Sequence, residues 1–481
     1  MRRPSLPRWL RRLLGDAAPR PPGPLPEPIR GEILGPDRLR RRARELASEH
    51  RTDRRERGGA RVLDRLEDNE RVLLDARRAL AGAVRRDEAV SPAAEWLLDN
   101  FHVIEEQVRE ARTSLPEGYR RQLPKLAEGE LEDHPRVQGL ARAYVAHTDS
   151  RFDPETLEAF VEAYQEVEPL TMGETWAVPA ALRLVLVENL RRLAEHILGS
   201  RTARREADAV ASAVHGAAAD DADPLEPLRS HLSGGVRMER AFVVDLVQRL
   251  RDGDPRTAPV AEWLERRAER AGTTLATLVR EEHARQLASQ ATVANVVTSM
   301  RRISAFDWTE FFEAVSLAER ILRQDPSGIH PASDFATRDT ARHAVEELAR
   351  GSDLDELDVA RRALARVEQA RADRVGDTGR EGYLGYHLLL DGRRAFERDL
   401  GYRPPLGQWL RRAFVAWAGP GYFGTLALVT LVLLALPAAW LVRAGADPGL
   451  TALLVLLAAV PASDLALAVL HQDVTELVPP R

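Results

Sequence analysis

The chain has 481 residues, and its 69 lysines and arginines nearly balance its 74 aspartates and glutamates, which leaves a formal net charge of −5. No global positive field therefore points to nucleic acid as a partner, and the absence of cysteine excludes disulfides, thiolate metal sites and thiol nucleophiles. Aromatic residues are only 5% of a composition rich in Ala, Leu, Arg and Glu, which favours helices over sheets.

The first segment, residues 1–28, is predicted to be a basic, proline-rich flexible tail. Residues 1–14 mix arginines with a few apolar side chains and lack the continuous apolar stretch of a signal peptide. A short helix lying on a membrane surface is the alternative for them. Residues 18–28 contain six prolines, which indicates an extended linker.

Residues 29–198 are predicted to form a first helical subdomain. Apolar spacing indicates helices at about 37–50 and 62–85. Ser91 is placed to cap the next helix, with Pro92 at its first position. The apolar stripe of that helix recurs at i, i+4, i+7 and i+11, through Leu97, Phe101, Ile104 and Val108.

Two further helices follow in this subdomain, and a linker comes after them. Asp153 and Pro154 begin the first of the two. The second, at 179–198, has little polar face in its first half, so we expect it to be central and buried. Residues 199–235 are rich in alanine, aspartate and glycine, and we predict that they form a loose linker.

A second helical subdomain is predicted at residues 236–414. No run in the body alternates convincingly between apolar and polar residues over six positions. The body is therefore predicted to be an all-α, multi-helix bundle. Helical patterns recur at about 238–250, 260–270, 274–300, 308–322, 337–350 and 354–372.

Two long apolar segments follow and predict a transmembrane helical hairpin. Residues 421–442 are 22 consecutive residues without a charge. A helix of that length covers about 33 Å, enough to cross a hydrocarbon core of about 30 Å. A polar break separates this segment from a second apolar run at 449–470, and residues 471–481 form a short C-terminal stub.

Arginines set the expected orientation of the hairpin. Arg403, Arg411 and Arg412 precede the first apolar segment, whereas the break between the segments carries only Arg443 and Asp447. By the positive-inside rule, the helical body and the C-terminus are both expected to face the cytoplasm.

Candidate chemistry is sparse, because the phosphate-loop, dinucleotide-binding, zinc-protease and nucleophile-elbow motifs are all missing. Asp339, His343 and Glu347 fall on one helical face at i, i+4 and i+8, where they could share a metal ion. A solvated row of charges is the alternative. Asp464 is ionisable within an apolar segment, which suggests a functional role. The alternative places it near the cytoplasmic end, against other helices or water.

A group of carboxylates lies near an aromatic residue in sequence. Asp99, Glu105 and Glu106 surround Trp96 and suggest acids beside an aromatic platform for a sugar. Helix caps and solvated faces are the alternative explanation for the carboxylates. Because Trp96 adjoins Leu97 of the apolar stripe, we expect its indole to be in the core.

Two further charged groups are interpreted structurally. Arg338 lies close to Asp334 and Asp339, which is typical of an ion-pair cluster, and a phosphate clamp is the alternative. Asp220, Asp221 and Asp223 come closest to the metal-binding carboxylates of a nucleotide-sugar transferase, but they lie in the predicted linker. We therefore assign no catalytic, cofactor-binding or metal-binding residue to the chain.

Six stretches of the sequence recur together, and in the same order, in one known family. They are 28–32 (PIRGE), 91–106 (SPAAEWLLDNFHVIEE), 162–193 (EAYQEVEPLTMGETWAVPAALRLVLVENLRRL), 299–325 (SMRRISAFDWTEFFEAVSLAERILRQD), 334–342 (DFATRDTAR) and 382–397 (GYLGYHLLLDGRRAFE). With them, the chain resembles the N-terminal region of cyclic β-1,2-glucan synthases, very large enzymes of the bacterial inner membrane. His330, Ser333 and Ala341 depart from the family pattern, so we assign no role to the loop around them.

The resemblance implies a role within a larger enzyme. In that family, a hairpin like this one precedes a cytoplasmic glycosyltransferase domain that uses UDP-glucose and a divalent metal. None of the family's catalytic residues has a matching position in this sequence. We therefore expect a non-catalytic helical module and membrane anchor from a split or truncated synthase, cut just before the transferase. By itself it is expected to hold no cofactor and to be no enzyme.

The expected partners are membrane lipid and the downstream transferase part of the synthase, with no nucleic acid. The expected location is the bacterial inner membrane, multi-pass, with the bulk of the chain cytoplasmic. One alternative is a free-standing, membrane-anchored helical adaptor or regulator. Another is an independent α/α glycan-processing enzyme, which would need a cleft with two convergent carboxylates.

Overall fold

Helices dominate the computed structural model, which describes residues 27–53, 61–114, 123–233, 238–251, 255–373, 379–416 and 418–477. The all-α prediction is confirmed. Within those residues the only strands are β1 (Thr52–Asp53) and β2 (Lys125–Leu126), which pair antiparallel. The predicted tail at 1–28 falls almost entirely outside the described residues.

The chain divides into two compact units, an N-terminal unit (Met1–Arg320) and a C-terminal unit (Ile321–Arg481). The described helices of the N-terminal unit are α1 (Pro36–Glu49), α2 (Arg61–Arg85), α3 (Pro92–Asp99), α4 (Phe101–Ser114), α5 (Arg136–His147), α6 (Pro154–Gln165), α7 (Met172–Ala219), α8 (Glu226–Ser233), α9 (Arg240–Arg251), α10 (Ala258–Arg270), α11 (Leu275–Ala305) and α12 (Trp308–Val315). Helix α13 (Leu317–Leu322) crosses the boundary between the units.

The C-terminal unit ends in the two long apolar helices. Its described helices are α14 (Ile329–Ala332), α15 (Phe335–Arg350), α16 (Glu356–Ala372), α17 (Leu384–Leu388), α18 (Arg393–Leu400), α19 (Leu406–Ala416), α20 (Ala418–Arg443) and α21 (Pro448–Leu477). The predicted segments at 421–442 and 449–470 lie within α20 and α21. Because α21 continues to Leu477, much of the predicted stub at 471–481 is helical.

Side-chain caps begin two helices where the sequence predicts them. Ser91 accepts a hydrogen bond from the Ala94 amide at 3.3 Å, and Asp153 accepts one from the Thr156 amide at 2.9 Å. Each cap gives a partner to an amide that the first helical turn leaves unsatisfied. A proline follows each cap, where its missing N–H removes no hydrogen bond. Both predicted helix starts are confirmed.

Helix α7 begins earlier than predicted. A capping box starts it, because Thr171 Oγ1 accepts from the Glu174 amide at 3.1 Å and Glu174 Oε2 accepts from the Thr171 amide at 3.0 Å. Pro179, interpreted as a first helical position, lies inside the helix. The 48-residue helix then continues to Ala219.

The loose linker predicted at 199–235 is therefore wrong for most of its length. Residues 199–219 belong to α7, and α8 follows after a short turn in which Asp221 takes a φ of 55°. The alanine content that suggested looseness is also the composition that best forms a helix. One face of this half of α7 is buried, through Ala203, Ala207, Val210, Ala211 and Val214.

Two hydrophobic clusters form the core of the N-terminal unit, and α7 contributes to both. The larger cluster packs α1–α6 against the first half of α7 and the second half of α11. The smaller packs the second half of α7 against α8, α9, α10 and the start of α11. The long helices α7 and α11 therefore join the two clusters.

The apolar stripe predicted after Ser91 is confirmed, since Leu97, Phe101, Ile104 and Val108 are all buried. The stripe spans two helices, because the chain breaks at Asn100, whose side chain donates to the Trp96 carbonyl at 2.8 Å. The prediction that Trp96 lies in the core is wrong: its side chain is 38% exposed. Because the Leu97 side chain points into the core, the side chain of the preceding residue, Trp96, points outward.

Candidate membrane-anchoring site

The two long C-terminal helices are apolar enough to cross a membrane. The most apolar 18-residue window has a mean hydropathy of 2.4 within Tyr422–Arg443 and of 2.3 within Pro448–His471. Ala466 and Leu470 of α21 are buried, whereas many of the large apolar side chains of the two helices are exposed. The exposed large side chains of α20 are Phe423, Leu428, Leu431, Val432, Leu436, Trp440 and Val442. An apolar surface of this extent is typical of a lipid-facing or protein-facing region.

Polar contacts lie near both ends of the hairpin. At the turn, Asp447 caps α21 by accepting a hydrogen bond from the Leu450 amide at 3.1 Å. At the other end, Tyr422 Oη and His471 Nε2 are 2.9 Å apart, which links the two helices. Asp464 is exposed on α21. Its expected contact with other helices or water stays a prediction.

Helix α19, immediately before the hairpin, is held to the rest of the C-terminal unit through one face. Gln408 and Arg412, four residues apart, share that face. Arg412 donates to both carboxylate oxygens of Glu397 on α18, at 2.6 and 2.7 Å. Gln408 donates to Glu347 on α15 and accepts from the Tyr402 hydroxyl at 2.8 Å.

Arg393 completes this network by joining its two carboxylates. It pairs with Glu347 and donates to Glu397 at 3.1 Å. We call these six residues, Glu347, Arg393, Glu397, Tyr402, Gln408 and Arg412, the clamp. Three helices, α15, α18 and α19, are thereby fixed to one another through charge-assisted hydrogen bonds.

Electrostatics keep the clamp carboxylates ionised. Burial alone would raise the pKa of Glu397, but hydrogen bonds from Arg412 and Arg393 outweigh it and lower that pKa below its ordinary value. Burial would also raise the pKa of Glu347, but hydrogen bonds from Arg393 and Gln408 outweigh it and lower that pKa. The hydrogen bond to Glu397 raises the pKa of Arg412. The clamp is therefore an intact ion-pair network at neutral pH.

The opposite face of α19 is apolar and exposed. Leu406, Trp409 and Leu410 have 73%, 55% and 53% of their surface accessible. Their i, i+3, i+4 spacing places them on one side of the helix. An amphipathic helix whose polar face is clamped and whose apolar face is open can lie in a membrane interface.

The three residues considered for a metal site do not converge on one. Asp339 pairs with Arg342 at 3.1 Å and lies 3.3 Å from His343 Nδ1. Glu347, the third candidate, belongs to the clamp. Among the described residues no group of three or more His, Asp and Glu side chains is arranged to hold a metal ion.

Three other sequence candidates, Glu105, Asp334 and Asp221, have structural partners. Glu105, one of the acids near Trp96, pairs with Arg77 at 3.1 Å. Asp334 caps α15 by accepting from the Thr337 amide at 2.9 Å. A hydrogen bond from the Thr337 side chain, then the one from its amide, and to a smaller extent the charge of Arg338 lower the pKa of Asp334. Asp221, from the predicted linker, lies 3.7 Å from Arg256.

The clamp itself was not singled out from the sequence. Arg393 and Glu397 lie within one of the stretches shared with the glucan synthases, but nothing local assigned them a role. The sequence feature that could have identified the clamp is the i, i+4 spacing of Arg393 and Glu397. Gln408 and Arg412 repeat this spacing on the next helix. Glu347 lies 61 positions before Gln408 in the chain, so its part in the clamp depends on tertiary packing.

Comparison with known proteins agrees with the sequence resemblance. No family model matches the chain. Over 419 residues, 86% of its length, the chain is 35% identical to the cyclic beta-(1,2)-glucan synthase NdvB of Rhizobium meliloti (strain 1021). The matched region is only 14% of that protein. Together with the two apolar helices, this similarity indicates a membrane protein.

Proposed function

Because the chain belongs to the cyclic β-(1,2)-glucan synthase family, we propose that it is a non-catalytic helical module and membrane anchor of such a synthase. In this role it supports UDP-glucose-dependent glucan synthesis at the bacterial inner membrane. The transferase chemistry, with its nucleotide sugar and divalent metal, then belongs to another part of the synthase. The partners of this chain are membrane lipid and that transferase part.

The clamp is the observation that carries the proposal. A hairpin joined to a folded unit by a loose linker would tether that unit without orienting it. Here α19 precedes α20 directly, and Gln408 and Arg412 fix it to α15 and α18. Leu406, Trp409 and Leu410 then lie in the lipid interface, so the C-terminal unit is held in a defined orientation on the membrane.

The proposed topology puts the helical body on the cytoplasmic side. Arg403 and Arg412 precede α20, whereas the turn of the hairpin carries Arg443 and Asp447. A reporter that is active only in the periplasm should give no signal when fused after residue 477. The same reporter inserted after Gly445, in the turn, should give a strong signal. A strong signal from the first fusion would contradict the hairpin topology.

Breaking the clamp tests the anchoring function. The chain is produced in a bacterium that lacks its own glucan synthase, together with a transferase part from this family. Synthesis of β-1,2-glucan from UDP-glucose is then measured in membranes. Replacing both Gln408 and Arg412 by Ala should reduce synthesis while leaving the amount of chain in the membrane unchanged, because the hairpin remains intact.

Arg398→Ala is the matched control, because Arg398 is exposed on the same helix as Glu397 and lies outside the clamp. It should leave synthesis unchanged. Full synthesis by the clamp variant would contradict the anchoring proposal. Full synthesis by the transferase part without this chain would favour a free-standing adaptor instead.

A further inference from the structure

The N-terminal unit contains a cavity of about 1180 Å³ between its two hydrophobic clusters. The long helices α7 and α11 form two of its walls, and the segment before α3 and the end of α9 form others. Ligand sites commonly lie between packed subdomains, and this volume exceeds the roughly 300–1,000 Å³ of an ordinary small-molecule pocket. The cavity is large enough for a ligand with several functional groups.

Three of the five carboxylates that line the cavity, Glu88, Asp208 and Asp245, pair with arginine. Glu88 accepts hydrogen bonds from Arg86, Arg205 and Arg201, which lower its pKa to about 2. Arg249 pairs with Asp208 at 2.6 Å and with Asp245 at 2.8 Å. Glu282 is 2% exposed and accepts from the Gln286 amide at 3.0 Å, but it forms no ion pair within the described part of the chain. The fifth carboxylate, Glu27, is exposed.

Three lining arginines have no such compensation. Within the described part of the chain, Arg30, Arg204 and Arg285 form no ion pair with a carboxylate. Arg30 donates only to neutral acceptors, Thr292 Oγ1 at 2.8 Å and the Ala288 carbonyl at 2.7 Å. Burial lowers its pKa; Asp149 opposes this effect, and the like charge of Arg285 adds to it. An anion bound beside Arg30 and Arg285 would offset the repulsion between these two guanidiniums.

The backbone beside one lining arginine is held in place, and one lining histidine has an unpartnered nitrogen. The backbone next to Arg30 is held by Asn189, whose side chain accepts from the Ile29 amide at 2.7 Å and donates to the Ile29 carbonyl at 3.3 Å. His196 also lines the cavity, and its Nε2 is buried without a hydrogen-bond partner among the described residues. A buried polar atom of this kind usually has a partner in the functional state.

The other residues that line the cavity limit the type of anion that it can bind. Apolar lining comes from Leu80, Val90, Ile197 and Leu287, and no Trp, Tyr or Phe is among the described residues of the lining. Sugar rings or bases therefore have no indole, phenol or phenyl ring on which to stack among these residues. The three lining arginines without an ion pair outnumber Glu27 and Glu282, the two lining carboxylates without one, and guanidinium geometry matches phosphate oxygens. We propose that this cavity binds a soluble organic phosphate that carries two or more negative charges.

Inorganic pyrophosphate is the probe for the test. Calorimetric titration of the full chain in nanodiscs of phosphatidylcholine should show saturable binding that weakens as salt is added. The double variant Arg204→Gln with Arg285→Gln should bind about tenfold more weakly or worse, because two charge-assisted contacts are lost. Arg285→Lys, which keeps the charge and loses the planar fork, should give an intermediate affinity.

Arg280→Gln is the matched control, because Arg280 is exposed on α11 and does not line the cavity. Its affinity for pyrophosphate should equal that of the unmodified chain. Absence of saturable binding, or equal affinity in the double variant, would overturn the proposal. Binding of neutral β-1,2-linked glucose oligomers with no binding of pyrophosphate would also overturn it.

The source of the phosphate is tested separately. Loss of pyrophosphate binding in nanodiscs that contain phosphatidylglycerol would identify a lipid headgroup and overturn the assignment to a soluble ligand. Unchanged binding would support that assignment. No step of this test requires glucan synthesis, so its failure would leave the proposed anchoring function untouched.

Discussion

Two bidentate arginine–glutamate pairs, one in each unit, use the same chemistry at different depths. In the N-terminal unit Arg136 donates to the two oxygens of Glu174 at 2.8 and 2.5 Å, and the side chains are 3% and 0% exposed. In the C-terminal unit Arg412 donates to the two oxygens of Glu397 over similar distances, but the Arg412 side chain is 28% exposed. The first pair joins α5 to the start of α7, and the second joins α19 to α18.

The extent to which each arginine–glutamate pair is buried determines its role. A fully buried charge that loses its partner cannot be solvated, so the deep pair is required for the fold itself. Arg412, whose side chain is 28% exposed, can regain water when its partner is removed, so the shallow pair contributes less to stability. The shallow pair instead fixes the position of one amphipathic helix.

Breaking the deep pair should have the largest effect on stability. Arg136→Met leaves the Glu174 carboxylate buried and unpaired, which should lower the free energy of unfolding by about 3–5 kcal/mol. Urea unfolding of the chain in detergent, followed by tryptophan fluorescence, measures this change. Arg142→Met is the control on the same helix, because its partner Glu130 is 70% exposed; about 0–1 kcal/mol is expected there. Equal midpoints for the two variants would contradict the role of depth.

Acid should destabilise the N-terminal unit through His50, which lies next to the deep pair. Burial, and then the charge of Arg136, lower the pKa of His50 from 6.5 to about 4. The folded state therefore prefers the neutral ring. The stabilisation is complete above the unfolded pKa and is lost as pH falls from about 6.5 to about 4, on the order of 2–3 kcal/mol.

Unfolding midpoints across that pH range measure the effect of His50. The variant His50→Gln should lose this part of the pH dependence, whereas His102→Gln, at an exposed position on α4, should keep it. Arg136→Met should raise the pKa of His50 in proton-detected titrations, which connects this test to the deep pair. An identical pH profile for His50→Gln and the unmodified chain would refute the assignment.

Breaking the shallow pair should have a smaller effect that is confined to the C-terminal unit. Glu397→Gln removes the charge that Arg412 and Arg393 share, at a cost of about 1–3 kcal/mol. Amide hydrogen exchange should accelerate in α19 and stay unchanged in α5 and α7. Arg398→Gln should not alter exchange in either unit. Faster exchange throughout the chain would show that the clamp supports global stability and does not act locally.

The smallest effect is expected at Trp96, outside both pairs. Because its indole is 38% exposed, Trp96→Ala should cost only about 1 kcal/mol, whereas Leu97→Ala beside it should cost about 2–5 kcal/mol. The two thermal unfolding midpoints give the comparison directly. A cost at Trp96 as large as that at Leu97 would mean that the indole has core contacts in solution.

Local signals in the sequence predicted more of the fold than of the site. Ser91 and Asp153 act on amides three residues away, and the charge-free run at 421–442 needs no tertiary partner to be interpreted. The course of α7 was mispredicted because a high alanine content is typical both of helices and of low-complexity loops. The clamp escaped prediction because Gln408 meets Glu347 only after α15, α18 and α19 have packed together.

The central claim is that this chain orients a transferase and does not itself transfer glucose. The most direct test measures UDP release by the purified chain in nanodiscs with UDP-glucose and magnesium or manganese. We expect no release above background from the chain alone, and turnover when the transferase part of the synthase is added. Sustained UDP release by the 481-residue chain alone, lost when one of its own carboxylates is replaced, would contradict the claim.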